Sequence, residues 1–598
     1  MITENIILWE YDVPLFRDEL LNYEAGIWFW TMTPGDVVVA DDNGNIGYYD
    51  YKNSTFYNIQ SLLIDGTVYS QTTSLSDCRL TDSSFYYDAG TTRLYIHFDE
   101  FEPPLNKIIS VGAATGFSWG KMGNAYYNND YYEPRIKKIF PIKKNKDPLY
   151  YGLLKFITGK IDCINNDGFF DDWKDRNLFA QATRILIGQN GDEYDDLERM
   201  FSGFIEDDSI DFEDFSVTLQ DIRAGLTQPI ATNYLTLTDY PHLDDSNENA
   251  PKPIAYGNIY KAPCICLNEA DKSASTYTFL LCDTEFNAVS ATGFQAYVDG
   301  TPQSGTLNTS AGTFTLSSSV YSPGDEVTAD FIIPITNGVN IIKDLILNYD
   351  SKPFLASFWD LTEVNTAEAL SRNTSLYIDD DTKLSECIEK VCFDIDALFF
   401  AKDDSRYTIR IFDENREPVK IIKGDEWLDQ PSTENEGSQY LTKAIIKYKK
   451  NINDDEYLQF VNSEYRDLAF STYKRDKVET FETGLYTEAE AIEKSETILD
   501  YSSDISNIVS RSVNLFENKD LEIMDFVICS PFTRYGKSEE YGVYEITGLQ
   551  KDIEKNIIKL TLRYLRDYTM PIDAVYTVLL DEAGNFITDE AGNYIVMR

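Results

Sequence analysis

The hydrophobic residues of this chain fall mainly in short runs that are bounded by turn signals. In the first part of the chain the runs are rich in aromatic residues, as in Ile27–Trp30 and Leu94–Phe98. Turns of the type Asp-Asn-Gly and Asp-Ala-Gly follow or precede them, at 42–44 and 88–90. Farther on, Phe215–Leu219 alternates apolar and polar residues. Such runs are typical of β-strands, so the sequence predicts a mostly β structure over roughly the first 230 residues.

The hydrophobic spacing becomes helical in the middle of the chain. Apolar residues recur three and four positions apart in Val339–Leu347, and Lys383–Phe393 predicts a second helix. A third helix is predicted over Thr487–Tyr501, because Thr487 and Glu490 have the spacing of a capping box. Further strands are predicted at Ala397–Phe400, Tyr407–Ile411, Ala444–Tyr448, Tyr541–Thr547 and Ile557–Tyr564. The fold class is therefore β-dominated α+β, in several consecutive domains.

A chain of 598 residues is too long for a single core. Shifts in pattern and composition divide it into seven predicted segments. They are an N-terminal β-rich domain at 1–146, a barrel-like β domain at 147–232, an ordered linker loop at 233–270, a small β insertion at 271–335, an α+β central domain at 336–420, a closing domain of mixed α/β and barrel-like character at 421–575, and a repeat-containing tail at 576–598.

Net charge limits the possible partners. The chain has 100 acidic and 52 basic residues, which gives a formal net charge of −48. A field of this sign repels nucleic acid and anionic membrane surfaces, so no sequence-specific nucleic-acid binding is expected. No window approaches ~18 uninterrupted apolar residues, and no membrane span is expected. The N-terminus lacks the basic region of a signal peptide, and eight cysteines are too few for a disulfide scaffold, so synthesis in a cytoplasm is predicted.

No run of residues has the spacing of a known catalytic motif. The two histidines, His97 and His242, have no candidate nucleophile close in sequence. Acidic pairs such as Asp171-Asp172 could serve glycoside hydrolysis, but among 100 acidic residues such pairs arise by chance. We therefore expect no enzymatic activity and no cofactor.

Metal binding is left open by the sequence. The stretch 163–168 mimics a calcium loop, but Cys163 and Lys174 stand where the loop needs carboxylates. Cys264-x-Cys266 with Cys282 lacks the second cysteine pair of a zinc site, and buried free thiols are expected instead. An irregular divalent-cation site, with no residues assigned, stays an open alternative in so acidic a chain.

Two stretches within the body of the chain are candidates for contacts with partner proteins. The first is a basic strip within residues 135–146, expected to be a solvated strand edge or a docking patch. The second is the loop Pro251–Gly257. The candidate residues are Arg135, Lys137, Lys138, Lys143 and Lys144, together with the neighbouring Lys146, and in the loop Pro251, Pro253, Tyr256 and Gly257.

A third candidate is a near-perfect octapeptide repeat at 581–588 and 589–596. Each octad joins a Gly-Asn turn signal to an aromatic–aliphatic pair, Phe586-Ile587 and Tyr594-Ile595. Two such units cannot bury a core of their own. We therefore expect the octads to be held by the body of the chain or to clasp a neighbouring subunit.

Several stretches of the chain form an ordered series: Ser84–Gly90, Arg93–Phe98, Phe201–Glu206, Phe215–Arg223, Leu226, Lys252–Gly257, Gly338–Leu347, Thr487–Tyr501, Leu521–Ser530, Tyr541–Ile546 and Lys559–Arg563. Taken in this order, they resemble tail-tip proteins of long-tailed bacteriophages. They are similar to the family's aromatic hairpin, its glycine-containing barrel stretch, its "kPivyG" loop, the helix that opens its central domain, and its closing helix and barrel.

The resemblance implies a tail hub or baseplate hub of a long-tailed phage, or of a phage-derived particle. Such hubs are typically homotrimers, in which two barrel-like domains per subunit form a pseudo-sixfold ring around the DNA-ejection channel. The implied partners are further copies of the chain, a distal tail or tail-tube ring, other tail-tip or fibre proteins, and the tape-measure protein. The implied location is the virion tail tip, after synthesis in the bacterial host cytoplasm. The family's patterns assign no catalytic residues here.

Two other functions stay open. One is a cell-wall or capsule-degrading tail enzyme, which needs two acidic residues converging in a cleft. The other is a host-receptor adhesin, in which the small β insertion carries the binding. In a tail hub, the same insertion could be a peripheral decoration, either a carbohydrate-binding module or a docking point for fibres.

Overall fold

The structure is a computed structural model. It describes residues 135–568 except for short gaps at 147–151, 156, 172, 174–177, 190–191, 436–439, 465–470, 472–473, 503–506 and 531–540. Before Arg135 and after Tyr568 it describes the backbone of strands.

The strands of the first third of the chain are β1 (Asn5–Tyr11), β2 (Leu20–Glu24), β3 (Ile27–Thr31), β4 (Val38–Ala40), β5 (Ile46–Asp50), β6 (Ile59–Ile64), β7 (Thr67–Gln71), β8 (Ser84–Asp88), β9 (Arg93–His97), β10 (Ile109–Ala113), β11 (Thr115–Trp119), β12 (Ala125–Tyr127), β13 (Asp130–Ile139), β14 (Ile142–Asn145), β15 (Gly152–Leu153), β16 (Thr158–Ile164), β17 (Ala182–Gln189) and β18 (Glu198–Ile210).

The strands up to the first helix are β19 (Asp214–Asp221), β20 (Ile254–Pro263), β21 (Ile265–Cys266), β22 (Thr276–Leu280), β23 (Gln295–Val298), β24 (Thr301–Gln303), β25 (Thr306–Asn308), β26 (Thr313–Ser317) and β27 (Val327–Ile333). The described helices are α1 (Gly338–Tyr349), α2 (Leu361–Leu370), α3 (Leu384–Asp394), α4 (Glu488–Ser502) and α5 (Leu515–Asn518).

The remaining strands are β28 (Leu376–Ile378), β29 (Ala397–Ala401), β30 (Tyr407–Ile411), β31 (Lys420–Ile422), β32 (Ser432–Asn435), β33 (Lys443–Asn451), β34 (Glu456–Glu464), β35 (Val478–Glu482), β36 (Asn507–Asn514), β37 (Phe526–Cys529), β38 (Gly542–Asp552), β39 (Ile557–Asp567), β40 (Thr577–Val578) and β41 (Val596–Met597). The predicted β-dominated character is confirmed. Within the described part of the chain, every helix is too short or too polar to cross a bilayer.

The first large sheet closes on itself. Its pairing order is β11-β1-β17-β18-β19-β16-β13, and β11 also pairs with β13. These seven strands therefore form a closed circuit of hydrogen bonding, as in a barrel. Because β1 pairs with β17, the boundary predicted at 146/147 falls inside this sheet, and the first two predicted domains share it.

The closing sheet has the order β31-β37-β38-β39-β36-β32. The C-terminal part of β38 also pairs with β14, Ile142 lying opposite Lys551. Strand β14 thus leaves the barrel and enters the closing sheet. One continuous hydrophobic core follows it across the junction, since Phe215 of the barrel and Ile142, Ile546 and Leu560 of the closing sheet belong to the same buried cluster.

Strand β20 joins three units. It pairs with β27 of the small β domain, with β28 of the central domain, and at one residue pair with β33. The small domain packs the sheet β24-β23-β27-β20 against the sheet β21-β22-β26-β25. The predicted linker loop at 233–270 is therefore wrong at its C-terminal end, because residues from Ile254 onward form the strand that connects these units.

The central domain packs α1 and α3 against the hairpin β29–β30, with Trp359 fully buried among them. Helix α4 covers one face of the sheet formed by β34, β33 and β35, where Ala444 and Ile446 meet Ile498. Its predicted capping box is confirmed, because the Thr487 hydroxyl donates a hydrogen bond to Glu490 and accepts one from its backbone N–H.

A close backbone approach explains one glycine of β20. Gly257 has a φ of +74°. A Cβ atom there would lie 2.3 Å from the carbonyl oxygen of Thr374. Only glycine lets β20 approach the segment before β28 so closely. Gly300, in the turn between β23 and β24, has a similar φ of +73° with nothing within 4 Å of such a Cβ.

This pair of glycines allows a matched test. Gly257→Ala should lower the free energy of unfolding by about 2–5 kcal/mol, the sum of left-handed strain of about 1–2 kcal/mol and overpacking of about 1–3 kcal/mol. Gly300→Ala should show only the strain. Urea denaturation of both variants measures the difference, and equal losses would contradict the steric account.

Candidate functional site

The basic strip of the sequence does not form one surface. Arg135 donates two hydrogen bonds to the carboxylate of Asp167, at 2.8 and 2.7 Å. Lys137 is paired with Asp214 at 2.6 Å. These two pairs join β13 to the turn after β16 and to the start of β19. Lys138 and Lys143 are exposed, and their role as partner contacts stays a prediction, as it does for Arg135 and Lys137.

The side chains of Lys144 and Lys146 point into the protein interior. Strand β14 alternates buried and exposed residues, and Lys144 is only 1 % exposed. Its ammonium group donates to Glu522 Oε1 at 2.8 Å and to Asp403 Oδ1 at 2.9 Å. Lys146 donates to Glu545 at 2.7 Å. The prediction of a solvated or docking strip is therefore wrong for Lys144 and Lys146, because β14 pairs with β38 and turns both ammonium groups inward.

Lys144 belongs to a buried charge junction, which we define as Lys144, Lys551, Asp403 and Glu522. Lys551 donates to Asp403 Oδ2 at 2.6 Å. Two cations thus face two carboxylates, and the charges balance. Burial alone would raise the pKa of Asp403, but the attraction of Lys144 and Lys551 outweighs it and lowers that pKa. The junction ties β14, β38, the turn after β29 and the segment before β37 to one another.

A second ion pair extends this junction. Arg410 of β30 donates to Asp525 Oδ1 at 2.8 Å and to the carbonyl oxygen of Ile523 at 2.7 Å. Its other amino group contacts Glu363 of α2. The central domain is therefore joined to the closing sheet by charges as well as by apolar packing. Such a connection resists sliding, because a displaced partner would leave a buried charge unpaired.

Removing one member of the junction tests its contribution. Lys144→Met keeps most of the apolar stem but leaves Asp403 and Glu522 with one cation fewer. We expect a loss of about 3–5 kcal/mol in the free energy of unfolding. The matched control is Lys143→Met, one residue away and exposed, which should change it by less than about 0.5 kcal/mol. Chemical denaturation measures both, and similar values for the two variants would refute the junction's role.

The loop candidates also lie inside the subunit. Tyr256 is 1 % exposed, and its hydroxyl donates to Asp344 of α1 at 2.8 Å. Gly257 and Pro253 are buried as well, while Pro251 is half-buried. The surface role predicted for Pro253, Tyr256 and Gly257 is therefore wrong, because Pro253 is buried and the other two belong to the start of the connecting strand β20. The role of Pro251 as a partner contact stays a prediction. The octad candidates Phe586, Ile587, Tyr594 and Ile595 lie outside the described residues, and their role stays a prediction.

A cleft of about 620 Å³ opens where β20, α3, β33 and the segment after β35 meet. Both aromatic rings and charged groups line it. The rings are Tyr260, Tyr377, Phe393, Tyr457 and Tyr486, and the charged residues are Glu386, Glu389, Lys390, Asp394, Lys449, Lys450 and Glu482. The mixture suits a polar partner segment or a carbohydrate, both of which combine flat faces with hydrogen-bonding groups.

Asp394 lies at the inner end of this cleft and is 4 % exposed. Its carboxyl accepts hydrogen bonds from the Thr374 hydroxyl at 2.5 Å and from the Gly484 N–H at 3.0 Å. Burial raises the pKa of Asp394 to about 7, although Thr374 and Lys494 act in the opposite direction. The carboxyl thus holds α3 against the segment that follows β35.

Next to Asp394 lies a second buried charge group. Asp396 accepts hydrogen bonds from both Lys494 of α4 and Arg372. Arg372 also donates to the Thr497 hydroxyl at 3.0 Å. These bonds attach α4 to the central domain. The interactions around Asp394 and Asp396 therefore assemble the cleft, and their partners come from segments far apart in the sequence.

The raised pKa of Asp394 predicts a pH dependence. In the native state this carboxyl keeps its proton up to about pH 7, while its ordinary pKa is 3.8. Its contribution to stability is therefore complete below pH 3.8 and is lost as the pH rises towards 7. The free energy of unfolding of Asp394→Asn, measured against that of the wild type at the same pH, should therefore be higher at pH 8 than at pH 5. Urea denaturation at both values measures this change, with the exposed Asp381→Asn as control; no difference between the variants would contradict the prediction.

The stretch that mimics a calcium loop is a hydrogen-bonded turn, and the cysteines considered for zinc are free thiols. Asn165 accepts a hydrogen bond from the Phe170 N–H at 2.8 Å and donates to the Asp211 carbonyl at 2.8 Å, which fixes the turn that mimics a calcium loop. Among the described residues, no three His, Cys, Asp or Glu side chains converge as metal ligands would. Cys266 and Cys282 are buried free thiols, as predicted, and Cys264 is a partly buried one.

Comparisons with known proteins are limited to solved structures. No protein-family model matches the sequence, and no curated protein matches it. The tail protein from Neisseria meningitidis MC58 is 8% identical with a TM-score of 0.37, over 73% of this chain and 95% of that protein. The 43 kDa tail protein of prophage MuSo2 from Shewanella oneidensis is 12% identical with a TM-score of 0.37, over 73% and 96%.

A chain from the virion of a native gene transfer agent particle is 8% identical, with a TM-score of 0.39, over 57% of this chain and 91% of that one. Structures of the phage P2 baseplate also match. The two proteins from Neisseria and Shewanella are tail proteins and the phage P2 structures are baseplates, the class that the sequence motifs resemble. At such low identities and TM-scores, the similarities assign no partner and no activity to this chain.

Proposed function

We propose that this chain is a structural subunit of a bacteriophage-type virion tail, and that it serves as the hub at the distal end of the tail tube. There it joins the tube to the tail tip and surrounds part of the DNA-ejection channel. The observation that carries the proposal is the fusion of the closed barrel and the closing sheet through β14. One hydrophobic core and the buried charge junction hold these two β units in a fixed relation.

A fixed pair of β units per subunit suits a symmetry adaptor. Three copies present six β units, which a hexameric tube can contact, while the assembly itself keeps threefold symmetry for the tip. The motifs that resemble phage tail-tip proteins lie along the same parts of the chain. A rigid joint between the two units also suits a part that transmits load along a tail.

The acidic composition fits a channel wall. Three copies would each contribute a net charge of −48. Negative charge near the bore repels the phosphate backbone, so DNA slides through without binding. The partners proposed are further copies of this chain, a distal tail or tail-tube ring, tail-tip or fibre proteins and the tape-measure protein.

We propose that the work of this chain is assembly and not bond chemistry. Among the described residues, Asp394 is the feature that favours a wall-degrading enzyme, since a carboxyl with a raised pKa in an aromatic cleft is a common general acid. In this structure its oxygens already accept bonds from Thr374 and Gly484. That arrangement explains Asp394 as a structural brace.

The oligomeric state tests the hub. The full chain, purified at micromolar concentration, should elute with a mass three times 68.4 kDa, and negative-stain class averages should show threefold rings with a central hole. The same preparation should release no sugar from host envelope. Monomers without rings would overturn the hub, and sugar release that Asp394→Asn abolishes would favour the enzyme.

A further inference from the structure

The cleft of about 620 Å³ between β20, α3 and β33 has the size of a small-ligand site, for which about 300–1,000 Å³ is usual. Three separate segments bring tyrosine rings to its walls. Tyr260 belongs to β20, Tyr457 to β34, and Tyr486 to the segment after β35. All three side chains are half-buried. Each ring is therefore held by the protein and still presents part of its surface to the cleft.

The hydroxyl groups of these three tyrosines have no partner within the described residues, where burial, without any hydrogen bond, is the main cause that raises the pKa of each. A partly buried tyrosine hydroxyl usually finds a partner, and other tyrosines of the chain do. Hydroxyls that donate to carboxylates are those of Tyr256, Tyr297, Tyr321, Tyr407 and Tyr564. The cleft thus gathers hydroxyls that are available to a ligand.

Lys449 lies between two of the rings. Its ammonium nitrogen is 5.2 Å from the ring centroid of Tyr260 and 5.4 Å from that of Tyr486. The side chain is half-buried, and no carboxylate of the described residues pairs with it. Its φ is +57°, a strained conformation that persists mainly at functional sites when the residue is not glycine. Lys449 is therefore a hydrogen-bond donor held inside the cleft.

The charged groups that remain free in the cleft balance each other. Three charged residues of its lining already have partners in the protein. They are Lys450, bonded to Asp455, Glu482, bonded to Lys447, and Asp394, bonded to Thr374 and Gly484. Within the described residues, those without an ion pair are Glu386, Glu389, Lys390 and Lys449. Two carboxylates and two ammonium groups favour a neutral ligand that both donates and accepts hydrogen bonds.

The cleft lacks the surface that a protein partner would need. Protein interfaces are anchored by apolar and aromatic side chains in desolvated pockets. In the part of the chain that the structure describes, the large hydrophobic side chains with the greatest exposure are Phe212 at 92% and Phe460 at 66%, and neither lines the cleft. Rings with free hydroxyls and balanced charges suit a sugar better than a protein segment.

We propose that this cleft binds a neutral oligosaccharide. The rings of Tyr260, Tyr457 and Tyr486 pack against the C–H faces of the sugar rings. The tyrosine hydroxyls and Lys449 donate hydrogen bonds to sugar oxygens, and the two glutamates of α3 accept bonds from sugar hydroxyls. The chemistry of the site is independent of the hub function. Only the source of the sugar, a bacterial cell surface, rests on the proposed role in a virion tail.

Binding to an array of bacterial surface oligosaccharides tests the proposal. The array holds neutral and anionic oligosaccharides, together with overlapping peptides that cover this chain, and the probe is the fluorescently labelled full-length protein. The protein should bind neutral oligosaccharides and neither the anionic ones nor the peptides. The oligosaccharide with the strongest signal is then titrated into the unlabelled protein by isothermal titration calorimetry.

Two conservative variants locate the binding. Tyr486→Phe keeps the ring and removes one hydroxyl, and Lys449→Met keeps most of the stem and removes the ammonium group. Each should raise the Kd for the oligosaccharide by about five- to tenfold, as expected for one lost hydrogen bond. The matched control is Tyr234→Phe, at a tyrosine that is 42% exposed and does not line the cleft, and its Kd should equal that of the wild type. Urea denaturation of each variant verifies that the fold is intact.

Four results would overturn the proposal. They are the absence of binding to every oligosaccharide, binding to anionic oligosaccharides alone, binding to peptides in place of sugars, and an unchanged Kd in both Tyr486→Phe and Lys449→Met. Threefold rings that bind no oligosaccharide would overturn the sugar site and leave the hub intact. Monomers that bind a neutral oligosaccharide through Tyr486 would support the sugar site and count against the hub.

Discussion

The rest of the structure depends on the balance of charge around Lys144. Strand β14 could have ended the barrel as a solvated edge. Instead its lysine enters the core beneath β38, where two carboxylates and Lys551 compensate it. A buried ammonium group without such partners would lose its proton or remain outside the core. Once this set is complete, β14 can bring its apolar neighbour Ile142 into the shared core, and the barrel and the closing sheet become one body.

A second joint is built on the same plan around β20. This strand is also shared between units, and two interactions hold it in place. They are the close approach of its backbone to Thr374 at Gly257 and the hydrogen bond from the Tyr256 hydroxyl to Asp344. Asp394 and Asp396 then attach the segment after β35 and helix α4 to the same central domain. Within the described residues, the units of the subunit are thus connected by strands that cross from one sheet to another. A part of this kind transmits force as one piece, as the proposed hub would have to do.

The sequence predicted the local elements well because local signals determine them. Helices α1, α3 and α4 follow from apolar spacing and, for α4, from the Thr487–Glu490 capping box. Helix α2 was not predicted, since Leu361–Leu370 contains two threonines and an asparagine and has little amphipathic pattern. The joints could not be predicted. The carboxylates that bind Lys144 are 259 and 378 residues away in the sequence, and the prolines at 251 and 253 suggested a loop where β20 begins.

The positions of the lysines determine where the acidic excess of the chain lies. Several of the basic residues form buried ion pairs with carboxylates, among them Lys144, Lys146, Lys494 and Lys551. Because each of these lysines is paired with a buried carboxylate, the pairs are neutral, and the rest of the chain keeps the whole net charge of −48. Copies of the chain therefore repel each other. Exposed strand edges on such a surface are protected from accidental pairing.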